Sequence, residues 1–196
     1  YQQYVARIDR GGGPGEMWRL PVAWHLGEAR WIPMNAAFLE PEGQRGVGED
    51  FLRHFSRWND NCILCHNTEP VPGLLDRSHG TGASGQFASR VGEFGIACEA
   101  CHGPAGAHVE RQADPGRRLL GGAGDPAVAH PGRLTPEGES GLCGRCHGNR
   151  IAADVAAVLR DGDGFLPGEA LAGVSRPIFA DSRVGGSDET PFAARF

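Results

Sequence analysis

Three times in this chain a cysteine is followed, three positions on, by a second cysteine and then directly by histidine. The copies are Cys62-Ile-Leu-Cys65-His66, Cys98-Glu-Ala-Cys101-His102 and Cys143-Gly-Arg-Cys146-His147, and together they use all 6 cysteines. Random placement at this composition would give on the order of 0.01 such motifs. On a helical turn, residues i, i+3 and i+4 share one face. Each motif therefore presents two thiols and an imidazole side by side. That donor set matches c-type haem attachment, with two thioether bonds to the vinyl groups and a histidine on the iron. The expected cofactor is three covalently attached haem c groups, bound by Cys62, Cys65, Cys98, Cys101, Cys143 and Cys146, with His66, His102 and His147 as proximal iron ligands.

Other uses of CxxC fit less well. Structural zinc takes such pairs two at a time and needs no histidine after each second cysteine; three pairs would leave an orphan. A thioredoxin-like motif belongs on a βαβ unit, for which the sequence gives no pattern, and one copy would serve. Three short disulfide loops would leave the histidines unexplained.

Composition agrees with a fold built around an inserted group. Glycine supplies 31 and proline 14 of the 196 residues, and apolar residues reach 40%. The first two punctuate regular structure, and the last is thin for a chain of this length to hold together by its own burial. Porphyrin plates would supply the missing apolar surface. No lysine is present, so all 19 basic residues are arginine, which excludes lysine-based chemistry of any kind. The net charge of −5 argues against a nucleic-acid partner.

Of 8 histidines, five remain after the proximal ligands: His25, His54, His79, His108 and His130. Three six-coordinate irons need three distal ligands, so bis-histidine ligation throughout is affordable, and it predicts mostly low-potential haems. Met17 and Met34 read as packing residues of the N-terminal stretch. His54 lies in 49–58, which reads as an amphipathic helix with Phe51, Phe55 and Trp58 on one face. His108 follows Pro104 in what reads as the first turn of a new helix. It stands too close to His102 to fold back over the same haem and is better placed to ligate a neighbouring one. His54 and His108 are the leading distal candidates; His79, His130 and His25 are the others, with a structural role favoured for His25.

Along the chain, 1–9, 17–24 and 30–33 read as strands of a small antiparallel β-meander, with Gly11-Gly-Gly-Pro-Gly15 as a turn. That glycine run is no phosphate loop, since no Gly-Lys-Ser/Thr follows. Residues 47–160 read as the haem-binding region, with short helices and loops around the motifs and a further helix over 150–160. Asp161-Gly-Asp-Gly164 reads as a plain turn, lacking the full calcium-loop pattern. Residues 161–196 read as an extended Gly/Pro-rich tail, and 1–46 as meander plus linker. The expected fold class is mainly α with much irregular loop: short helices wrapped around covalent haems, plus the N-terminal meander. No apolar run reaches the roughly 18 residues of a membrane span.

The run Cys98-Glu-Ala-Cys-His-Gly-Pro-Ala-Gly-Ala-His108-Val resembles the CxxCHGPG-x-x-H segment of multihaem c-type cytochromes. It is most similar to the group of the nitrification tetrahaem cytochrome c-554 and related larger multihaem proteins. His54 through Trp58-Asn-Asp-Asn-Cys62-Ile-Leu-Cys-His-Asn-Thr68 and Arg133-Leu-Thr-Pro…Cys143-Gly-Arg-Cys-His-Gly148 resemble neighbouring segments of that group. The resemblance implies that the histidine after CHGPG, here His108, is distal ligand to another haem, and that His54 plays a similar part. Such proteins carry four or more motifs, so the three here imply a segment of a longer chain whose precursor carried an export signal.

The expected function is transfer of single electrons through closely packed haems, in the periplasm or outside the cell, between a redox protein donor and acceptor and alongside other haem-bearing segments. Arg53, Arg57, Arg145 and Arg150 are candidates to pair with haem propionates. The alternatives are a haem enzyme with one open axial site acting on a small nitrogen or sulfur species, and a haem-bearing subunit of a larger assembly. A lysine-ligated catalytic haem is excluded by composition.

Overall fold

The computed structural model describes residues 1–8, 15–34, 56–76, 85–120 and 124–179. His54, His79 and Arg53 lie outside these, as do most of the helix expected over 49–58 and most of the glycine-rich turn. The chain divides into two compact units, 1–64 with 70–90, and 65–69 with 91–196. The division falls between Leu64 and Cys65, inside the first motif.

In the first unit, alternation of side chains in Trp18-Arg-Leu-Pro-Val-Ala-Trp-His25 makes a strand with two unlike faces. It is the centre of an antiparallel sheet: β1 (Gln2–Ala6), β2 (Trp18–His25) and β3 (Arg30–Pro33) in that order, so the expected meander is present. Pro21 and Ala23 point to the buried side, where Ala23 packs with Ile32 and Met34. The tryptophan-bearing face is only half-buried, and Trp24 pairs with Trp31 across the ladder at 5.3 Å between ring centroids. His25 ends β2 and its Nδ1 accepts the Glu28 N–H at 3.0 Å, closing the turn to β3.

The start of β2 takes a further short strand, β4 (Ser56–Arg57), through Trp18 and Arg19. This corrects the helix expected to run to Trp58: its last residues before Trp58 are extended, because they are drawn into the sheet. A π-helical turn, Trp58–Cys62, and α1 (Ile63–His66) follow and carry the first motif. Buried Asn59 pins that turn: its Oδ1 accepts the Met17 N–H at 2.7 Å, and its Nδ2 donates to the Gly15 carbonyl at 3.1 Å and to Ser89 Oγ at 2.8 Å. Glu16, 4% exposed, accepts from Arg57 Nη1 and from the Gly85 N–H, each at 3.0 Å. A second ladder, β6 (Leu74–Asp76) with β7 (Gln86–Phe87), completes this unit, while β5 (Asn67–Thr68) before it belongs to the other. Gly15, at φ +84°, sits against the Phe87 carbonyl where a Cβ would collide with backbone.

In the second unit β5 (Asn67–Thr68) pairs with β8 (Glu93–Phe94). Thr68, 1% exposed, ties the strand to the chain before the second motif: its Oγ1 donates to the Gly95 carbonyl at 3.0 Å and accepts the Ala97 N–H at 2.9 Å. Then come α2 (Glu99–His102), α3 (Gly106–Ala113), α4 (Pro115–Leu120), α5 (Pro136–His147), β9 (Arg150–Ala152), α6 (Val155–Asp161) and β10 (Ser175–Pro177). The helix expected over 150–160 thus opens with a strand: Arg150–Ala152 pairs antiparallel with β10, and the helix starts only after Asp154, whose carboxylate accepts the Ala157 N–H.

The mainly α expectation is wrong. About 37% of the described residues are helical and 26% are in strands, in several antiparallel sheets. The reason is local. Glycine and proline hold the helices to between 4 and 12 residues, and the chain between motifs satisfies its backbone through two- and three-residue ladders instead.

Asn59 gives a test. Asn59→Ala leaves the Met17 amide and the Gly15 carbonyl without their partners inside the fold and should cost about 2–4 kcal/mol. Denaturant midpoints of the parent and variant check this.

Candidate functional site

All three motifs lie on helical turns. In the second, the amides of Cys101 and His102 both donate to the Cys98 carbonyl, at 3.2 and 2.9 Å, and Gly103 at φ +77° ends the turn. The third occupies the last turn of α5. That helix is begun by Thr135, whose Oγ1 accepts the Gly138 N–H at 3.1 Å, with Pro136 next, and it ends with Arg145 and His147 against the negative end of its dipole. None of the 6 cysteines is in a disulfide; Cys62 and Cys65 are half-buried and the other four exposed.

The first and third motifs meet. The Cys65 and Cys146 thiols act on each other: the neighbouring Cys146 holds the Cys65 thiol well below the ordinary thiol range, and Cys65 raises that of Cys146. The guanidinium groups of Arg150 and Arg145 favour the Cys65 thiolate further. Burial pushes the Cys62 thiol up.

Two imidazoles are oriented by a partner at Nδ1. The His102 Nδ1–H donates to the Ala129 carbonyl at 2.6 Å, while the Ala129 N–H donates to the His102 carbonyl at 2.8 Å. This reciprocal pair fixes the ring, leaves the Nε2 lone pair for a metal, and brings His130, the next residue, alongside the second motif. His130 itself is exposed and precedes the turn Pro131–Arg133. His108 is the third residue of α3, in the first turn as expected, and its Nδ1 lies 3.1 Å from Asp125 Oδ2. The Ala127 N–H, with Arg111 and His108, holds the Asp125 carboxyl down to about 2.

Of the arginines expected to meet propionates, the three described ones, Arg57, Arg145 and Arg150, are committed elsewhere. Arg145 grips Asp163 with Nε at 2.9 Å and Nη2 at 3.0 Å, and Arg150 Nη2 reaches the same carboxylate at 3.1 Å. Their side chains are 12% and 14% exposed and that of Asp163 is 2%. Arg57 is held by Asp60 and Glu16, which with the Asp60 hydrogen bond foremost raise its pKa, and it lies over the Phe87 ring at 5.1 Å. Asp163, Asp125 and Thr68 were missed by the sequence reading. Asp163 lies in the stretch read as a plain turn, and only its pairing with two arginines beside the third motif shows its role. Gly124-Asp-Pro126 carried a turn signal, but nothing in it names His108 as partner.

Large apolar side chains stand exposed close in sequence to the second motif and to His108: Phe94 at 74%, Ile96 at 63% and Val109 at 64%. The residues present therefore fit haem c: paired thiols on helical turns, imidazoles with Nε2 left for iron, and apolar surface for a plate to cover.

Asp163→Ala would strand two nearly buried guanidinium groups and should cost about 3–5 kcal/mol. Asp161→Ala, at a carboxylate 62% exposed, should change stability by no more than about 0.5 kcal/mol. Urea midpoints of the two variants separate the cases.

No family model matches the chain. Over 91 residues, 45% of the chain, it is 31% identical to the multihaem cytochrome MtrA of Shewanella baltica (strain OS185), and the match covers 23% of that protein. The chain thus spans less than a quarter of this relative's length. Among solved structures it is similar to the outer cell wall cytochrome OcwA, with a TM-score of 0.43 and 21% identity, over 90% of this chain and 30% of that one. The sequence similarity is to a multihaem cytochrome, and the finer resemblance to the cytochrome c-554 group rests on the motifs alone.

Proposed function

We propose that the chain is a haem-bearing segment of a multihaem c-type cytochrome that relays single electrons, in the periplasm or at the cell exterior, between redox protein partners and neighbouring haem-bearing segments. The observation that carries this is the three CxxCH motifs, each on a helical turn, together with the His102 ring whose Nδ1–H is bound to the Ala129 carbonyl at 2.6 Å. Cys62 and Cys65, Cys98 and Cys101, and Cys143 and Cys146 would hold three haems, with His66, His102 and His147 as proximal ligands. His108 and His54 are the proposed distal ligands, and His25, His79 and His130 the remaining candidates. When bound, haem supplies one-electron iron chemistry.

The chain's own contribution is geometric and electrostatic. The Cys65–Cys146 contact brings the first and third attachment points together, as a relay over short steps requires. Ala129 orients His102.

Pyridine haemochrome quantification of the exported holoprotein should give three covalent haems per chain, and Cys98→Ala with Cys101→Ala should give two. A count of zero in the parent overturns the reading. His108→Ala should convert one haem from low-spin to high-spin in the oxidised protein; an unchanged spectrum removes His108 from the ligand set. A parent protein with a high-spin ferric component that shifts on adding small nitrogen or sulfur species would point to catalysis instead.

A further inference from the structure

We propose that Asp125 is the positioning residue that keeps His108 in the tautomer able to bind iron. The inference rests on the proposal above that His108 is an axial ligand, and goes beyond it by naming what prepares the ligand.

His108 and Arg111 stand at i and i+3 on α3, on one face of the helix, and both reach Asp125. Asp125 belongs to a turn in which its Oδ1 accepts the Ala127 N–H at 2.9 Å, two residues on. The same Oδ1 takes Arg111 Nη1 at 2.7 Å. Oδ2 is left to face His108 Nδ1 at 3.1 Å. The carboxylate is 6% exposed and the imidazole 37%, so the pair is shielded on the acid's side and open on the ring's.

An ionised carboxylate only accepts hydrogen bonds. The His108 proton must therefore sit on Nδ1, which leaves the Nε2 lone pair for iron. His102 has the same arrangement with a neutral partner, the Ala129 carbonyl. The difference is chemical: a carboxylate partner places more negative charge on the ring than a carbonyl does, makes it a stronger donor, and favours the ferric state. Arg111 draws part of that charge away and holds the acid in place.

The test uses the haem-loaded protein. In Asp125→Asn the amide oxygen keeps Arg111 and Ala127, so the amide N–H faces His108 Nδ1, which can then only accept; the proton moves to Nε2 and the lone pair is lost. The expected result is a high-spin ferric component equal to one haem of three or, where the amide turns its oxygen to the ring, a positive shift of one midpoint potential with the others unmoved. Asp125→Glu, which keeps the charge, should stay low-spin with potentials near the parent. If Asp125→Asn fails to incorporate three haems, Arg111→Gln replaces it: Asp125 keeps its Ala127 and His108 bonds, and one midpoint should move negative. All haems low-spin with parental potentials in Asp125→Asn, or no movement in Arg111→Gln, overturns the role of Asp125. If His108→Ala itself leaves the spectrum unchanged, the ligand assignment fails first, and the two failures are told apart.

Discussion

Buried polar side chains, each satisfied by several partners, hold this chain together where apolar burial is scarce. Glu16, Asn59, Thr68 and Asp163 are each no more than 7% exposed, and each ties together stretches well separated along the chain. A loop-rich chain must place its backbone amides and carbonyls somewhere. Asn59 answers for Met17 and Gly15, Thr68 for Gly95 and Ala97, and Glu16 for Gly85. The same physics makes such anchors brittle: losing one leaves several groups unpaired in a low-dielectric setting.

Two of these anchors bear directly on the candidate haem sites. Thr68 fixes the approach to the second motif from a strand that begins directly after His66. Asp163 gathers two arginines flanking Cys146 and His147, so the positive charge beside the third motif is matched before any cofactor charge is considered. Around His102 and His108 the polar partner is instead turned toward the imidazole. One ring leans on a carbonyl and the other on a carboxylate, and in both cases the contact is made at Nδ1. Electronic difference between otherwise similar ligands is one of the few means by which a protein sets a haem's potential.

The grouping of each motif's donors on a helical turn and the N-terminal meander were legible in the sequence, for different reasons. Cys98, Cys101 and His102 fall within five consecutive positions, 98–102, so their juxtaposition is a property of the helix alone. The period-two alternation in β2 likewise names a strand, and the turn at Leu26-Gly27-Glu28 returns the chain within reach. The balance of helix and strand was misjudged because β4, β5, β8 and β9 are two or three residues long. Such pieces carry no periodicity of their own and exist only because a partner lies opposite.

The sequence by itself determined the three donor sets, the supply of five further histidines and the absence of lysine, since these follow from residue identity and spacing within a turn. Only the tertiary structure decided which carboxylate meets which cation or imidazole. Asp163 with Arg145 and Arg150, Asp125 with His108, and Cys65 with Cys146 are pairings between residues well separated along the chain. Nothing in local sequence encodes the partner in such a pair, because the contact is selected by how the intervening loops close and by the cost of leaving any buried charge alone.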